Sequence, residues 1–570
     1  MKPAFTFKIG GEAGFGIMAA GTTFAKVAMR SGYYVFDYSE YPSLIRGGHN
    51  VMQISVADEP VNSQYQTTNF LIALNQQTLD LHKNELIEGA GVLYDADQNI
   101  KVADIPDGVD IYAIPFTQVV KQAGGSYVMR NSVALAAALA LLGANMQHLK
   151  DLIAEEFAGK EELIKINHEV CEAGAAFALE KYKSKNILSQ KQNVVKQILV
   201  TGNDATALGA IAGGMTFTSI YPMTPTSNIL HILAPFQEKF NFVYKQPEDE
   251  ISAINMAIGA SFAGARAMVA TSGGGFCLMS EGYGLAGMTE IPIVIIEGMR
   301  GAPATGLPTW TEQGDLRFVL HAHQGEFPRI VLAAGNVEDA FNLALRAFNL
   351  ADKYQTPVLI LVDKYVCESH MSVVPFEYED FKIDRGNFSV DKIVDYKRYE
   401  QSDTGVSTRT IPGISNYIIA NSDEHDVFGF SDESSENRIT QMNKRMKKLA
   451  TCEETDMQEP KVFGSRDADI SFISWGSNKG PILEALKSLP NANYLHLEWL
   501  NPFPSEFIGD FLKKAKRAIN IECNYSGQMA GYIAEKTGFR FEEKNNFLKF
   551  DGRPFYPEEI VKLINNENTK

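Results

Sequence analysis

The chain predicts an α/β protein made of three α/β domains, and three observations carry that prediction. Its 570 residues are too many for one hydrophobic core. Apolar runs bounded by glycine- and acid-containing turns recur along it and alternate with helical stretches, the pattern of buried strands in layered sheets. Two polar stretches interrupt that pattern. The boundaries they imply are a first domain over 1–182, a linker over 183–196, a second domain over 197–380, a charged connecting segment over 381–462 and a third domain over 463–570.

In the first domain "AFTFKIG" reads as a strand, "GEAGFG" as a glycine turn, "IMAAGTTFAKVAMRSG" as a helix ending at Gly32, and "YYVFDY" as the next strand. "VMQISVA", "FLIALN", "GVLYDA" and "DIYAIP" supply further strands ahead of an alanine-rich helix, "SVALAAALALLG". "KYKSKNILSQKQNVVKQ" is polar and without a strong period, which predicts a linker. The second domain opens with "ILVTGNDATALGAIAGG" and has its clearest strands at "ARAMVATS", "IPIVIIEG" and "TPVLILVD". Residues 380–462 are charged and poor in aliphatic runs, which predicts an excursion gripping a partner or partial disorder. "ADISFISWG", "NYLHLEWL" and "RAINIECN" are the strands of the third domain.

Composition excludes several functions. Hydrophobic residues at 45% and charged residues at 21% describe an ordinary globular protein. A net charge of −17 argues against a nucleic-acid partner, because phosphate backbones select basic surfaces. No apolar run reaches the roughly 18 residues of a membrane span, and the first residues read as strand and turn, not as a signal peptide. A cytoplasmic location, away from membranes, is the expectation. Cys171, Cys277, Cys367, Cys452 and Cys523 are isolated, with no C-x-x-C spacing for a disulfide framework or an iron–sulfur site built by this chain alone.

Several motifs carry possible chemistry. In "SIYPMTPTSNIL" Pro222 and Pro225 fix their own φ and push Tyr221 and Thr224 away from helical geometry, so the backbone around Thr224 is stiff before anything binds. Thr226, Ser227 or Asn228 is then placed to cap the following helix and leave an anion site, although a strand-to-helix turn without a ligand reads equally well. Glu248, Asp249 and Glu250 open a helix rich in small residues. They are either charges at the positive helix end or, for one of them, a carboxylate buried in an interface with a tuned pKa. "TSGGGFCLMSEG" puts Gly273, Gly274 and Gly275 between strand and helix, where backbone approaches a neighbour or ligand closely; no Lys-Ser/Thr follows to make a Walker A loop. Arg300 lies in a Gly/Pro-rich loop with Thr305 and Thr309, suited to forking onto a carboxylate. "GGEAGFG" with Asp37 downstream approximates a dinucleotide fingerprint without matching its spacing, and "RGGHN" adds Arg46 beside two glycines.

Taken in order, these motifs resemble the 2-oxoacid:ferredoxin oxidoreductases. "YPMTPTSN" resembles that family's Y-P-I-T-P motif; "EDEISAINMAIGASFAGARAMVATSGGGFCLMSEG", "MRGAPATGLPT" and "HQGEFPRIV" resemble its α subunit; "GGEAGFGIMAAG" and "RGGHN" resemble its γ domain; "IECNYSGQMAGYI" resembles its transketolase-like C-terminal domain. The chain is most similar to a fused γ–α subunit, the arrangement common among 2-oxoglutarate enzymes. The resemblance implies oxidative decarboxylation of a 2-oxoacid on thiamine diphosphate, transfer of the acyl group to coenzyme A and reduction of ferredoxin. It also implies a β subunit carrying Mg²⁺, the diphosphate site and a [4Fe–4S] cluster, in an (αβ)₂ assembly, since no G-D-G…N motif or cysteine cluster stands in this sequence.

By motif position it implies Glu250 as the carboxylate on the aminopyrimidine ring, Thr224 and Arg300 on the substrate, and Thr309 as a further donor. Gly274 is implied beside thiamine, and Gly11, Gly14 and Arg46 at coenzyme A. Two rivals remain at this level. One is an NAD-binding oxidoreductase built on the Gly10–Gly16 turn and Asp37; the other is a non-catalytic scaffold subunit.

Overall fold

The computed structural model describes residues 4–44, 47–414 and 417–567, which form two compact units. The first comprises residues up to Val200 with two later returns, Ser369–Pro375 and the C-terminal segment from Tyr556; the second holds Thr201–Glu368 and Phe376–Phe555. No helix among the described residues is long and apolar enough to cross a membrane.

The first unit is built on strands β1 (Phe5–Glu12), β2 (Tyr34–Glu40), β3 (His49–Ala57), β4 (Thr68–Ala73), β5 (Leu86–Asp95), β6 (Asp110–Ile114) and β7 (Ile198–Thr201). Helix α1 (Ile17–Arg30) turns Phe24 onto Phe7 of β1, ring centroids 3.7 Å apart. Helix α2 (Arg130–Leu141) is buried at every position from Val133 to Leu141, as a helix apolar all round must be, and α3 (Glu161–Lys181) covers it. The polar stretch expected to be a linker lies along this unit. The Tyr33 hydroxyl donates to the carbonyls of Ile187 and Ser189 at 3.0 Å each, and Lys191 N–H donates to Ser31 O at 2.9 Å. Backbone groups tie it to the unit, while most of its polar side chains stay exposed to solvent.

In the second unit α4 (Gly202–Ala212), β8 (Phe217–Ser219), α5 (Ser227–Leu233), β9 (Val243–Lys245), α6 (Glu250–Phe262), β10 (Ala267–Ser272), α7 (Gly273–Met288), β11 (Val294–Met299), α8 (Leu316–His321), β12 (Ile330–Ala333), α9 (Val337–Tyr354) and β13 (Val358–Asp363) follow in sequence. The next strand, β14 (His370–Val373), belongs to the first unit, whose sheet runs β6-β5-β4-β1-β3-β2-β14-β7. Helix α10 (Ser435–Thr455) and strands β15 (Lys461–Gly464), β16 (Ile470–Trp475), β17 (Ala492–Leu497), β18 (Trp499–Asn501), β19 (Ala518–Glu522) and β20 (Asn546–Leu548) return to the second, with α11 (Gln528–Thr537) between the last two. The chain ends in α12 (Pro557–Glu567), again in the first.

The second unit therefore holds two sheets, β18-β12-β13-β11-β10-β8-β9 and β15-β17-β16-β19-β20. All pairs are parallel except β12 with β18 and β15 with β17. Strand β18 leaves the C-terminal segment to pair with the larger sheet, and one core runs through both, with Ile295 and Met299 alongside Trp475 and Leu497. The α/β class is thus as the sequence predicts.

The charged stretch 381–462 contributes a 21-residue helix with Lys444, Arg445 and Lys448 buried. Several of its charges, Arg409, Lys444 and Lys448 among them, are paired inside the unit. Lys444 and Lys448 both meet Glu290 at 2.6 Å, and Asp352 receives Arg266 at 2.9 Å, Arg385 at 3.0 Å and Arg409 at 3.1 Å. An interior assembled from ion pairs looks like surface when read as composition.

Candidate active site

A cavity of about 520 Å³ opens in the second unit where α7 begins, a size suited to a small organic ligand. Gly273, Gly274 and Cys277 come from the first turns of α7, Arg300 from the end of β11, Glu312 and Asp315 from the loop before α8, and Asn524 and Tyr525 from the loop before α11. Ligand sites of open parallel sheets lie at the carboxyl ends of their strands, and β10 and β11 both deliver their residues there.

The proline-flanked loop stands at this cavity. Arg300 Nη1 donates to Thr224 O at 2.8 Å, and Asn203 Nδ2 of α4 donates to Pro225 O at 2.9 Å. The loop also packs on Gly298 of β11, where an added Cβ would lie 2.6 Å from Thr226 Cγ2 and 2.9 Å from Pro225 Cγ. Thr226 takes the N-cap position of α5 but gives its hydroxyl to Met223 O at 3.2 Å, so the side-chain cap expected on this short helix does not form. The loop's stiffness serves to hold Thr224 and Arg300 together.

Among the three acids of "EDE" each has a separate fate. Glu248 is exposed. Asp249 is the N-cap of α6, its carboxylate accepting from Ser252 N–H at 2.7 Å, and those bonds lower its pKa. Glu250 is 2% exposed, and its Oε1 has no hydrogen-bond partner among the described residues. It lies under the start of α7, where a Cβ on Gly275 would stand 2.5 Å from Glu250 Oε1; only glycine leaves that carboxyl its place. Burial raises the Glu250 pKa, the α6 backbone N–H opposes this and Asp249 adds to it.

Gly274 faces open space, with Met223 Sδ and Ala304 O each 4.0 Å from an added Cβ. Thr309 is 6% exposed in the loop after β11 and is not among the described residues lining the cavity. Gly11 and Gly14 sit in the first unit, Gly11 on β1 opposite Asn50 and Gly14 at φ +92° with nothing within 4 Å of an added Cβ. Arg46 lies outside the described residues. Asp37, the ribose acceptor of the NAD reading, is 1% exposed and engaged by His370, whose N–H reaches it at 2.8 Å and whose Nδ1 stands 2.8 Å away. That carboxylate has no free oxygen pair to offer a ribose.

Sequence reasoning missed the back wall. Gln313, fully buried, donates to Trp475 O at 2.8 Å and accepts from Asn478 at 2.8 Å and Cys523 N–H at 2.9 Å. Gln528 donates to Gly314 O at 2.6 Å. Glu522 receives Met529 N–H at 2.9 Å, Ala530 N–H at 3.0 Å and Asn524 at 2.7 Å, capping α11 from inside. The "ECNYSGQ" motif therefore clamps the "EQGDL" loop and sets Asn524 and Tyr525 at the cavity. Glu297 of β11, 0% exposed, and Asp315 were missed too; an acid within an aliphatic parallel strand was the available signal. Burial, then Asp315, pushes the Glu297 pKa well up, and burial raises Asp315. Arg300 is the only cation among the described lining residues, its pKa lowered by burial.

Comparison with known proteins follows the same division of the chain. The family profile described as "Pyruvate flavodoxin/ferredoxin oxidoreductase, thiamine diP-bdg" matches residues 208–446, and "Pyruvate ferredoxin/flavodoxin oxidoreductase" matches 6–177. The 2-oxoacid:ferredoxin oxidoreductase subunit alpha of Saccharolobus solfataricus is 33% identical, across 98% of this chain and 97% of that protein. The 2-oxoglutarate oxidoreductase subunit KorA of Mycobacterium tuberculosis is 28% identical across 98% and 90%. A solved 2-oxoglutarate:ferredoxin oxidoreductase from Magnetococcus marinus, with 2-oxoglutarate, coenzyme A and succinyl-CoA bound, superposes with a TM-score of 0.93 at 32% identity, covering 100% of both chains.

Proposed function

This chain belongs to the 2-oxoacid:ferredoxin oxidoreductase family as an alpha subunit, and we propose that it supplies the pyrimidine half of a thiamine diphosphate site that decarboxylates 2-oxoglutarate and passes the acyl group to coenzyme A. The observation that carries this reading is Glu250: a carboxyl 2% exposed, at the head of a helix, outside the cavity lining but with one oxygen left unpaired against Gly275, next to the lining residue Gly274. Such an oxygen fits the ring nitrogen of an aminopyrimidine, and the open face of Gly274 fits a flat ring laid against the start of α7.

Glu250 would hold the pyrimidine ring through Oε1, and burial, which raises its pKa, favours the protonated carboxyl there. Thiamine diphosphate, when bound, would supply the nucleophilic carbon and the electron sink that decarboxylation of a 2-oxoacid needs. Arg300 holds the 2-oxoacid carboxylate, oriented by its bond to Thr224 O, and Thr224 offers its hydroxyl beside it. Thr309 is the further donor that the motif implies, although it does not line the cavity. The name of the Magnetococcus relative and its bound 2-oxoglutarate support the substrate; pyruvate is the competing 2-oxoacid.

A β subunit brings Mg²⁺, the diphosphate site and a [4Fe–4S] cluster, ferredoxin accepts the electrons, and the assembly is (αβ)₂ in the cytoplasm. Residues 1–182 form a γ-type domain that takes coenzyme A at Gly11, Gly14 and Arg46. Residues 197–380 form the pyrimidine-binding domain and 463–570 the transketolase-like C-terminal domain, joined by the segments 183–196 and 381–462, with Ser369–Pro375 and the segment from Tyr556 returning to the first unit. Co-purification with the partner subunit, then ferredoxin or viologen reduction across a panel of 2-oxoacids with coenzyme A, tests the reading. Activity led by 2-oxoglutarate is expected, with Glu250→Gln losing roughly 10²- to 10⁴-fold while the complex still assembles. Undiminished turnover in that variant returns the chain to a scaffold role.

A further inference from the structure

Behind Arg300 lies a carboxyl with no donor to meet it. Glu297 stands inside β11 at 0% exposure, and neither of its oxygens finds a hydrogen-bond donor among the described residues. The charged group that acts on it most is another acid, Asp315. Glu297 pairs in the sheet with Thr271 of β10, and Asp315 lines the cavity close-packed on Gly273, two residues beyond Thr271, where an added Cβ would lie 2.5 Å from Asp315 Oδ2. Ionised carboxylates only accept hydrogen bonds, so two of them face each other in a dry wall only with a proton between them.

We propose that Glu297 and Asp315 share one proton in the cavity wall beside Arg300, and that a 2-oxoacid carboxylate binding Arg300 draws a second proton onto the pair. The coupling rests on the reading of Arg300 as the carboxylate holder; the pair itself does not.

The charge balance gives the reason. With one proton the pair carries a single negative charge, and Arg300 offsets it. A bound carboxylate adds a second negative charge to a poorly solvated site. One proton from solvent, converting the remaining carboxylate to a carboxyl, restores neutrality. Burial raises both acids and Arg300 pulls Asp315 the other way, as this arrangement requires.

The other groups facing the pair are Cys277 on α7, Cys367 after β13 and Glu312 in the same loop as Asp315. Burial pushes both thiols up, so they stay neutral near pH 7. Lys364, next to Cys367, pairs with Glu368 at 3.4 Å. Glu312 and Glu250, both raised by burial, are the rivals for the incoming proton.

Two measurements on the full chain in its co-purified complex test this. Infrared difference spectra of wild type against Glu297→Gln are expected to show a protonated-carboxyl band that shifts in D₂O and is missing from the variant; Asp315→Asn should move that band. Calorimetric titration with 2-oxoglutarate, in two buffers of different ionisation enthalpy, is expected to show about one proton taken up per ligand. Uptake should vanish in the Glu297→Gln/Asp315→Asn double variant and persist in Glu312→Gln. Affinity should fall about tenfold per pH unit between the pair's upper pKa values without and with ligand. A wild type lacking the band overturns the pair, and binding without proton uptake overturns the coupling. Loss of uptake in Glu312→Gln overturns its assignment to the pair. A band present with no 2-oxoacid binding at all leaves the pair standing and overturns the function given to the cavity.

Discussion

On the proposed function, Glu250 and Arg300 each have a role that a near-isostere would not fill. The folded chain binds the Glu250 proton more tightly than the unfolded chain does, because burial raises its pKa. Stability from this group is therefore full below the ordinary glutamate pKa and declines as pH rises toward the folded value. Glu250→Gln removes that decline, so its melting midpoint at pH 7 should equal or exceed that of wild type even as turnover falls; a drop of several degrees in a thermal scan would contradict the sign. Arg300→Lys keeps the charge but loses the planar fork and the second donor that holds Thr224 O. A lost charge-assisted bond costs about 1.5–3 kcal/mol, so kcat/KM for the 2-oxoacid should fall roughly 10- to 100-fold. Steady-state kinetics with an unchanged ratio would remove Arg300 from the substrate.

Among the elements, α10 has the least expected role. Its buried Lys444 and Lys448 converge on Glu290, all three side chains at 0% exposure, and the two ammonium groups hold the Glu290 carboxyl well below the usual carboxylate range. Removing one partner of such a group strands buried charge at a cost of about 3–5 kcal/mol. Glu290→Gln should accordingly lower the urea midpoint of the second unit by a matching amount, followed by tryptophan fluorescence, since Trp310, Trp475 and Trp499 all lie in that unit. A midpoint within error of wild type would mean that α10 is held by other contacts. Two polar stretches that look alike in composition sit differently: residues 183–196 stay largely exposed, with the carbonyls of Ile187 and Ser189 accepting from the Tyr33 hydroxyl, while 381–462 places Arg409, Lys444 and Lys448 inside the second unit.

At the scale of the whole molecule, the first unit is completed by a segment more than 350 residues away. In α12 Ile560 and Ile564 are 1% and 3% exposed, and Glu558 accepts from Gln66 N–H at 3.0 Å. Burying two isoleucines is worth about 3–6 kcal/mol, so truncation after Phe555 should speed hydrogen exchange along β1, β3 and β4 and leave β10 and β11 protected. Equal protection in both forms would show that the first unit is complete without α12.

What the sequence determined by itself were the local things. Apolar runs placed the central strands, because a strand buried on both faces must be continuously apolar, and glycine and proline marked the turns around Thr224 and at the head of α7. The motifs in their order named the family, and pointed to Glu250 and Arg300. Only the tertiary structure decided which groups share a wall. Strand β18 pairs with β12 and joins two sheets into one unit; Gln313 is locked by residues over 150 positions away; and Glu297 finds Asp315. A carboxyl's solvent and neighbours are set by segments distant in sequence, and its pKa and its chemistry follow from them.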